Sequence, residues 1–556
     1  MKRLLILLCF STLFLFTGCE LLTILFDDST GSSGFKTINV ETDPTSTTYL
    51  VKLNNSSEII KAQQTGFARM ADVSEQNDTD TDNFIRCLNR NLNKGLEAEI
   101  LSDSNRSAGN ERAVTTGYTN LSFSKGSTKK FYSYTRTEKK ADGSEVNISE
   151  QINAVCKYAG TYCYVFADTS LPNLTSTGIY LSDTDYKVLG EKFDSCYERE
   201  ISVNGDPFYK KYNYTYFGPC NDKIIILVSD LFGDASNEQT SGTVGYFYQG
   251  DVFNKTYLLN NYGLNSNECE MFYIDALFLT KRPDTVYSTL VHEFNHMINY
   301  VIKTVNYMTT NPYAKSFQLC DEWFTEMLSM TTEDMFQSYL KIKDEDSPKG
   351  RLPYFNMYYN YGFKLWDNSS IPNEIMYANT YAFGAFLVRN FGGISLLEEM
   401  AKNEYVNETA ITKALQKCNP NFIYKDEATN TNKRIDFEYA LRKFSLCLFN
   451  TDAPTAEQAA KTGDDQYYSF NKSTDKNRSD SLIFTAIEIM NIVCDYKNDD
   501  GTIERKKIQP VFYKKDDAVN LGPTGFSVHY VGKGIDSFEL YASKSNKIEY
   551  YLITRK

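Results

Sequence analysis

The chain has 556 residues, 42% of them hydrophobic, enough for several domains with sizeable buried cores. A formal net charge of -13 and a pI near 5.0, with no long basic run, argue against nucleic acid as a partner, because phosphate binding needs clustered Lys and Arg. Abundant Tyr (41) and Phe (36) beside scarce Pro (13) point to strand-rich domains and away from disorder.

The N-terminus, Met1-Lys2-Arg3 followed by the apolar run Leu4 to Phe16, has the form of a secretory signal. An apolar core of about 13 residues is too short to span a bilayer. Phe16-Thr17-Gly18-Cys19 resembles a bacterial lipobox, with Phe16 where such signals usually have Leu. That resemblance implies a signal peptide over residues 1–18, lipidation at Cys19, and a protein held in the bacterial cell envelope through this lipid alone. No other stretch is long and apolar enough for a membrane helix, so the remainder is expected to be soluble and tethered. Residues 19–45 contain the Gly/Ser-rich run 27–34 and read as a flexible tether.

From 46 to 175 the pattern predicts a β-rich N-terminal domain, with strands at Thr48 to Leu53, Lys129 to Thr137, Val146 to Tyr158 and Tyr162 to Ala167. Asp78, Asp80 and Asp82 alternate as in a calcium loop, but Asn83 and Asn89 stand where the Gly and Glu of such a loop belong, so a solvated loop is the expectation. Setting aside Cys9 in the signal and Cys19 at the anchor, ten of the twelve Cys remain, an even number in an exported chain. Cys156 and Cys163 flank the turn-like Ala159-Gly160 and would face each other across a hairpin. No Cys-x-x-Cys occurs, which argues against a thiolate zinc site.

Residues 176–450 change character and predict an α+β domain with a β-rich first half and a helical second half. Ile224 to Val228 reads as a buried strand, and Gly245 to Val252 and Met271 to Leu279 as further strands. A helix follows over Thr285 to Val301, with Val286, Leu290, Phe294, Met297 and Val301 at helical spacing as its core face. Downstream, Ala382 to Arg389, Ile394 to Ala401 and Phe437 to Phe449 read as helices. Residues 451–475 read as a linker, and 476–556 as an all-β C-terminal domain with strands at Leu482 to Ile489, Gln509 to Tyr513, Phe526 to Val531, Phe538 to Tyr541 and Ile548 to Ile553. His529, inside one of these strands, reads as structural.

The predicted helix contains His292-Glu293-Phe294-Asn295-His296. Residues four apart lie one turn above each other, so both imidazoles project from one face toward a common point, as a zinc ion requires, and Glu293 flanks it as a general base. With three His in the whole chain, a shuffled composition would produce this motif on the order of once in a thousand sequences. A catalytic zinc needs a third protein ligand, and with no spare His nearby a carboxylate must supply it. Cys320-Asp321-Glu322-Trp323-Phe324-Thr325-Glu326-Met327-Leu328 reads as an amphipathic helix offering Glu322 and Glu326. Glu326 sits among apolar neighbours, where a metal partner would explain its burial, whereas Glu322 is comfortable at the helix start without one.

Together, His292 to Tyr300 and Trp323 to Ser329 resemble the hyicolysin family of zinc metallopeptidases, of gluzincin type. The resemblance covers residues 220–395, with Met327 replacing the Gly usual after the ligand Glu. It implies a zincin-like α+β catalytic domain binding one Zn2+ per chain through His292, His296 and Glu326, with Glu293 taking a proton from the attacking water and a polypeptide as substrate. Tyr381 lies where related gluzincins often keep an oxyanion-stabilising Tyr, with a core role as the other reading, and Gly245 to Tyr248 is a candidate edge strand for an extended peptide. A rival reading is a catalytically silent surface adhesin or structural lipoprotein, which would not require Glu293; a non-peptide hydrolase is a third.

Overall fold

The computed structural model describes residues 20–24, 35–62, 65, 85–87, 121–139, 145–208, 217–218, 221, 223–234, 242–305, 307, 319–366, 372–426, 430–461, 463, 466–497, 502–543 and 547–555. Residues 1–19, with Cys19, and the loop with Asp78, Asp80 and Asp82 lie outside them. Contacts divide the chain into two compact units, residues 1–72 with 512–556, and residues 73–511. Among the described residues no helix is long and apolar enough to cross a membrane.

The first unit joins the two ends of the chain. Its five-stranded sheet runs in the order Glu20–Ile24, Ile548–Arg555, Thr47–Asn54, Phe526–Lys533, Tyr513–Lys514, and Phe35–Glu41 pairs separately with Ser537–Ser543. The expected tether therefore contains two paired strands, and the expected N- and C-terminal β domains contribute strands to one sheet. The reason is local: Thr37 to Glu41 alternates polar and apolar residues, which buries Val40 against Phe538 and Leu540, and the short period is hidden by the polar average of the segment. His529 is buried in this unit, with Nδ1 3.0 Å from the Lys514 carbonyl and Nε2 2.9 Å from the Ser527 hydroxyl, as a structural histidine would be.

The second unit holds a seven-stranded mixed sheet ordered Ile85–Cys87, Gly242–Tyr246, Met271–Asp275, Ile224–Ser229, Cys163–Asp168, Glu145–Ala159, Thr128–Lys139. Its three central strands, 163–168, 224–229 and 271–275, are parallel and read as near-continuous apolar runs because both faces are covered. The expected boundary at 175/176 falls inside this sheet: strands 128–168 pair onto Ile224–Ser229 instead of forming a domain of their own. Gly242–Tyr246 is paired on both sides, with 85–87 and with 271–275, so the candidate edge strand is an inner one. Gly245 is needed there because a Cβ would lie 2.7 Å from the Tyr273 carbonyl and 3.0 Å from Thr289 of the helix packed above.

Cys156 and Cys163 point to opposite faces of the sheet. A register shift between Cys156 and Tyr158 puts the first thiol in the core with Tyr246 and Tyr273 and the second in the core with Phe294, so the two cannot face each other across the hairpin. Met271 to Leu279 divides at Asp275, whose carboxylate accepts from the amides of Leu277 and Phe278 and starts a helix at Ala276.

One face of the sheet is covered by helices Asp183–Asn204 and Pro283–Asn299. On the latter, Val286, Leu290, Phe294 and Met297 are buried in this core, as their spacing predicts, whereas Val301, beyond the α-helix, is buried in the core that holds Tyr246 and Tyr273. Helix Glu322–Leu340 packs across Pro283–Asn299, and Asn373–Phe391 packs across Glu322–Leu340, closest at Gly384, where a Cβ would sit 2.4 Å from Thr331 Oγ1. The expected linker and the first part of the expected C-terminal domain belong to this unit. Ser469 exchanges two backbone hydrogen bonds with the Asn390 side chain, Phe470 is buried beside Phe386, and Arg389 donates to the Thr485 carbonyl. Leu482 and Phe484 are buried in alternation, but beyond a single bridge from Phe484 to Thr474 this run joins no strand ladder, and Arg389 of the helix sits over the Phe484 ring.

Candidate metal centre

Helix Pro283–Asn299 begins with Pro283 at its first position, where a missing amide costs nothing, and continues as a π-helical turn over Tyr300–Val305. Its apolar stripe presses on the sheet, which turns His292 and His296 away from the sheet and toward helix Glu322–Leu340. All four motif-related side chains are buried, with His292 at 1%, Glu293 at 0%, His296 at 5% and Glu326 at 1% exposure.

One ligand-type atom from each of His292, His296 and Glu326 lies within 4.8 Å of the others, the single such grouping among the described residues. The two Nε2 atoms are 3.0 Å apart, and the Glu326 carboxylate is 3.3 Å from His292 Nε2 and 3.5 Å from His296 Nε2. Glu322, at the helix start, is not part of the group. Trp323, Phe324, Met327 and Leu328, the neighbours of Glu326 in the chain, are all buried as well. Burial pushes the Glu326 pKa upward, whereas the His296 and His292 rings, where protonated, outweigh that and lower it to about 2.

The other ring nitrogens are also held. His292 Nδ1 is 2.7 Å from Glu333 Oε1, and the other Glu333 oxygen accepts from Ser288 at 2.5 Å. A carboxylate only accepts, so Nδ1 carries the proton and the His292 Nε2 lone pair faces Glu326 and His296. His296 Nδ1 is 3.2 Å from Thr325 Oγ1, an oxygen that also accepts from Asn299 at 3.0 Å. With Nδ1–H donating to that oxygen as well, its Nε2 lone pair turns to the same point. Two lone pairs and a carboxylate converging at these distances repel one another, and a cation at their focus removes the conflict, so the donor set fits a metal of zinc type.

Tyr381 is not part of this group. It is fully buried beside the ion pair of Asp334 and Arg389, in which the guanidinium and carboxylate approach to 2.7 Å with both side chains at 0% exposure. Asp334 is eight residues beyond Glu326 on the same helix, about 12 Å along its axis. The core reading of Tyr381 therefore describes its position. One turn earlier on the same helix, Tyr377 does reach the centre, with its hydroxyl 3.4 Å from Glu326 Oε1 and its ring between Trp366 and the Arg351 guanidinium.

Glu333, Thr325 and Tyr377 were not singled out in the sequence. Glu333 left a legible signal, since it follows Glu326 by seven residues, two helical turns, and so shares its face. Tyr377 left none among 41 tyrosines.

Residues 189–432, which contain all of these side chains, match the family model described as Peptidase M30. The chain is also similar to the neutral metalloprotease ShpI of Staphylococcus hyicus, at 25% identity over 294 residues, covering 49% of this chain and 55% of that protein. It thus spans about half the length of the curated relative it matches. The part of the chain that carries the His292, His296 and Glu326 group is similar to metalloproteases of the Peptidase M30 family.

Proposed function

We propose that this chain is a zinc-dependent endopeptidase, held in a bacterial cell envelope by a lipid on Cys19. The observation that carries the catalytic reading is the pairing of His292 with Glu333 at 2.7 Å, which presents a metal-binding tautomer to His296 and Glu326. In this reading His292, His296 and Glu326 hold the ion. A bound zinc ion supplies a Lewis acid that polarises a peptide carbonyl and lowers the proton affinity of a water molecule.

The chain's own residues do the rest. Glu293 follows His292 in the helix and is wholly buried; its role in this reading is to accept the proton of the attacking water and pass it to the leaving amine. Glu333 and Thr325 keep the imidazoles from rotating, with Ser288 and Asn299 holding those two in turn. Glu326 itself is 1% exposed, and the exclusion of bulk water from it strengthens each electrostatic contact there. The similarity to a neutral metalloprotease supports polypeptide as the substrate class.

The test is metal content and cleavage of an unfolded polypeptide such as casein. The parent chain is expected to carry about one zinc per chain and to lose activity to a chelator. Glu293→Gln should keep the metal and lose at least about a hundredfold in turnover. Full activity in Glu293→Gln would overturn the mechanism, and a metal-free, inactive parent would overturn the function.

A further inference from the structure

The sheet of the second unit has another concave site on the face opposite the histidine helix. Phe272 and Ile274 turn toward Phe294 and Met297 of that helix, whereas Tyr246 and Tyr273 turn to the other face. On this second face Tyr132, Tyr134, Tyr248, Tyr273 and Asp251 line a cavity of about 160 Å³, with the half-buried Ser149 at its rim. That volume is comparable to cavities of about 150 Å³ that accept a benzene-sized molecule.

The walls are fixed in advance. Tyr273 stacks on Tyr246 at 4.2 Å, Tyr134 stacks on Phe232 at 5.8 Å, and Tyr134 meets Tyr248 edge-on at 6.0 Å. The long hairpin of Thr128–Lys139 and Glu145–Ala159 folds over this face and is pinned there, the Asn267 side chain bonding both the amide and the carbonyl of Tyr132. Asp251 sits beneath the rings at 1% exposure, accepting from the Tyr273 hydroxyl at 2.6 Å and from the Asn267 amide at 2.8 Å. Both donors are neutral, and the Lys129 charge offsets that of the carboxylate less than burial disfavours it. Burial correspondingly raises the Asp251 pKa to about 7, against those hydrogen bonds.

A buried acid in a cavity lined by four tyrosines presents negative potential from the carboxylate, and aromatic rings attract a cation to their faces. The Asp251 oxygens are already engaged by Tyr273 and Asn267, and four of the lining residues are tyrosines, so the walls suit a fully alkylated ammonium, which needs no acceptor, better than a primary one, which needs three; Asn147, Ser149 and Asn265 complete the polar lining. We propose that this cavity is a binding site, separate from the metal centre, for a quaternary ammonium group.

Binding to the intact chain is measured by calorimetry and saturation-transfer NMR, with three probes. These are choline, ethanolamine, and the uncharged isostere of choline in which a tert-butyl group replaces the trimethylammonium. Choline should bind at one site, and both other probes should bind at least about tenfold more weakly. Ser149→Trp fills the rim from a half-exposed position and should abolish choline binding while leaving metal content unchanged. Should that variant not fold, Tyr134→Leu, which removes a ring face and keeps apolar volume, should weaken choline at least about fivefold. Absence of choline binding to the parent, equal binding of the isostere, tighter binding of ethanolamine, or full binding in the folded variants would each overturn the proposal. Because the readout is choline binding, it does not depend on whether the metal centre is catalytic.

Discussion

The carboxylate of Glu333 lies 2.7 Å from Nδ1 of His292, although the two residues are separated by 41 positions in the chain. That contact fixes which imidazole nitrogen faces His296 and Glu326. Replacing Glu333 with Gln keeps the shape but removes the charge that orients and strengthens the ligand. Zinc affinity should fall by about 10- to 100-fold, measured by competition with a chromophoric chelator. Unchanged affinity would mean that His292 is oriented by its packing alone.

Glu326 and Glu322 stand one turn apart at the start of the same helix, and only Glu326 joins the histidines. Glu326→Ala should abolish stoichiometric zinc, while Glu322→Ala should retain it, both read by metal analysis of folded protein. The reverse pattern would reassign the third ligand.

His529 supplies a pH dependence remote from the metal centre in sequence and chemistry. Burial, then the nearby Lys52 charge, lower its pKa to about 3, against the hydrogen bond to the Lys514 carbonyl that favours the charged ring. The unfolded chain takes up this proton near pH 6.5, the folded chain only near pH 3, so folding excludes it in between. The stability from this group is full above pH 6.5 and is lost as pH falls toward 3, by several kcal/mol in order of magnitude. With three His in the chain, ring-proton NMR can follow it directly. His529→Asn should flatten this part of the acid unfolding curve; an unchanged slope would show that other groups dominate.

Cys19 is proposed to carry the lipid. Growth with radiolabelled fatty acid should label the parent chain, and Cys19→Ala should lose the label and leave the membrane fraction. Labelling that persists in the variant would sink the anchor.

Much of the local structure was legible because its information lies within a turn or two of chain. The stripe Val286, Leu290, Phe294 and Met297 determined the helix and its buried face, and the His292 to His296 spacing determined that both rings leave it together. The apolar neighbours of Glu326 likewise predicted its burial. What alternation could not show was which strands pair. Thr47–Asn54 finds both its neighbours near the other end of the chain, in Phe526–Lys533 and Ile548–Arg555, because the pairing is set by which apolar faces meet. A single register shift after Cys156 was enough to put two cysteines in different cores. The sequence by itself thus determined a pair of histidines on one helical face and a nearby buried acid. Only the tertiary structure decided that Glu333 would fix the tautomer and that Tyr377, not Tyr381, would reach the ligand, because such contacts depend on where two helices cross.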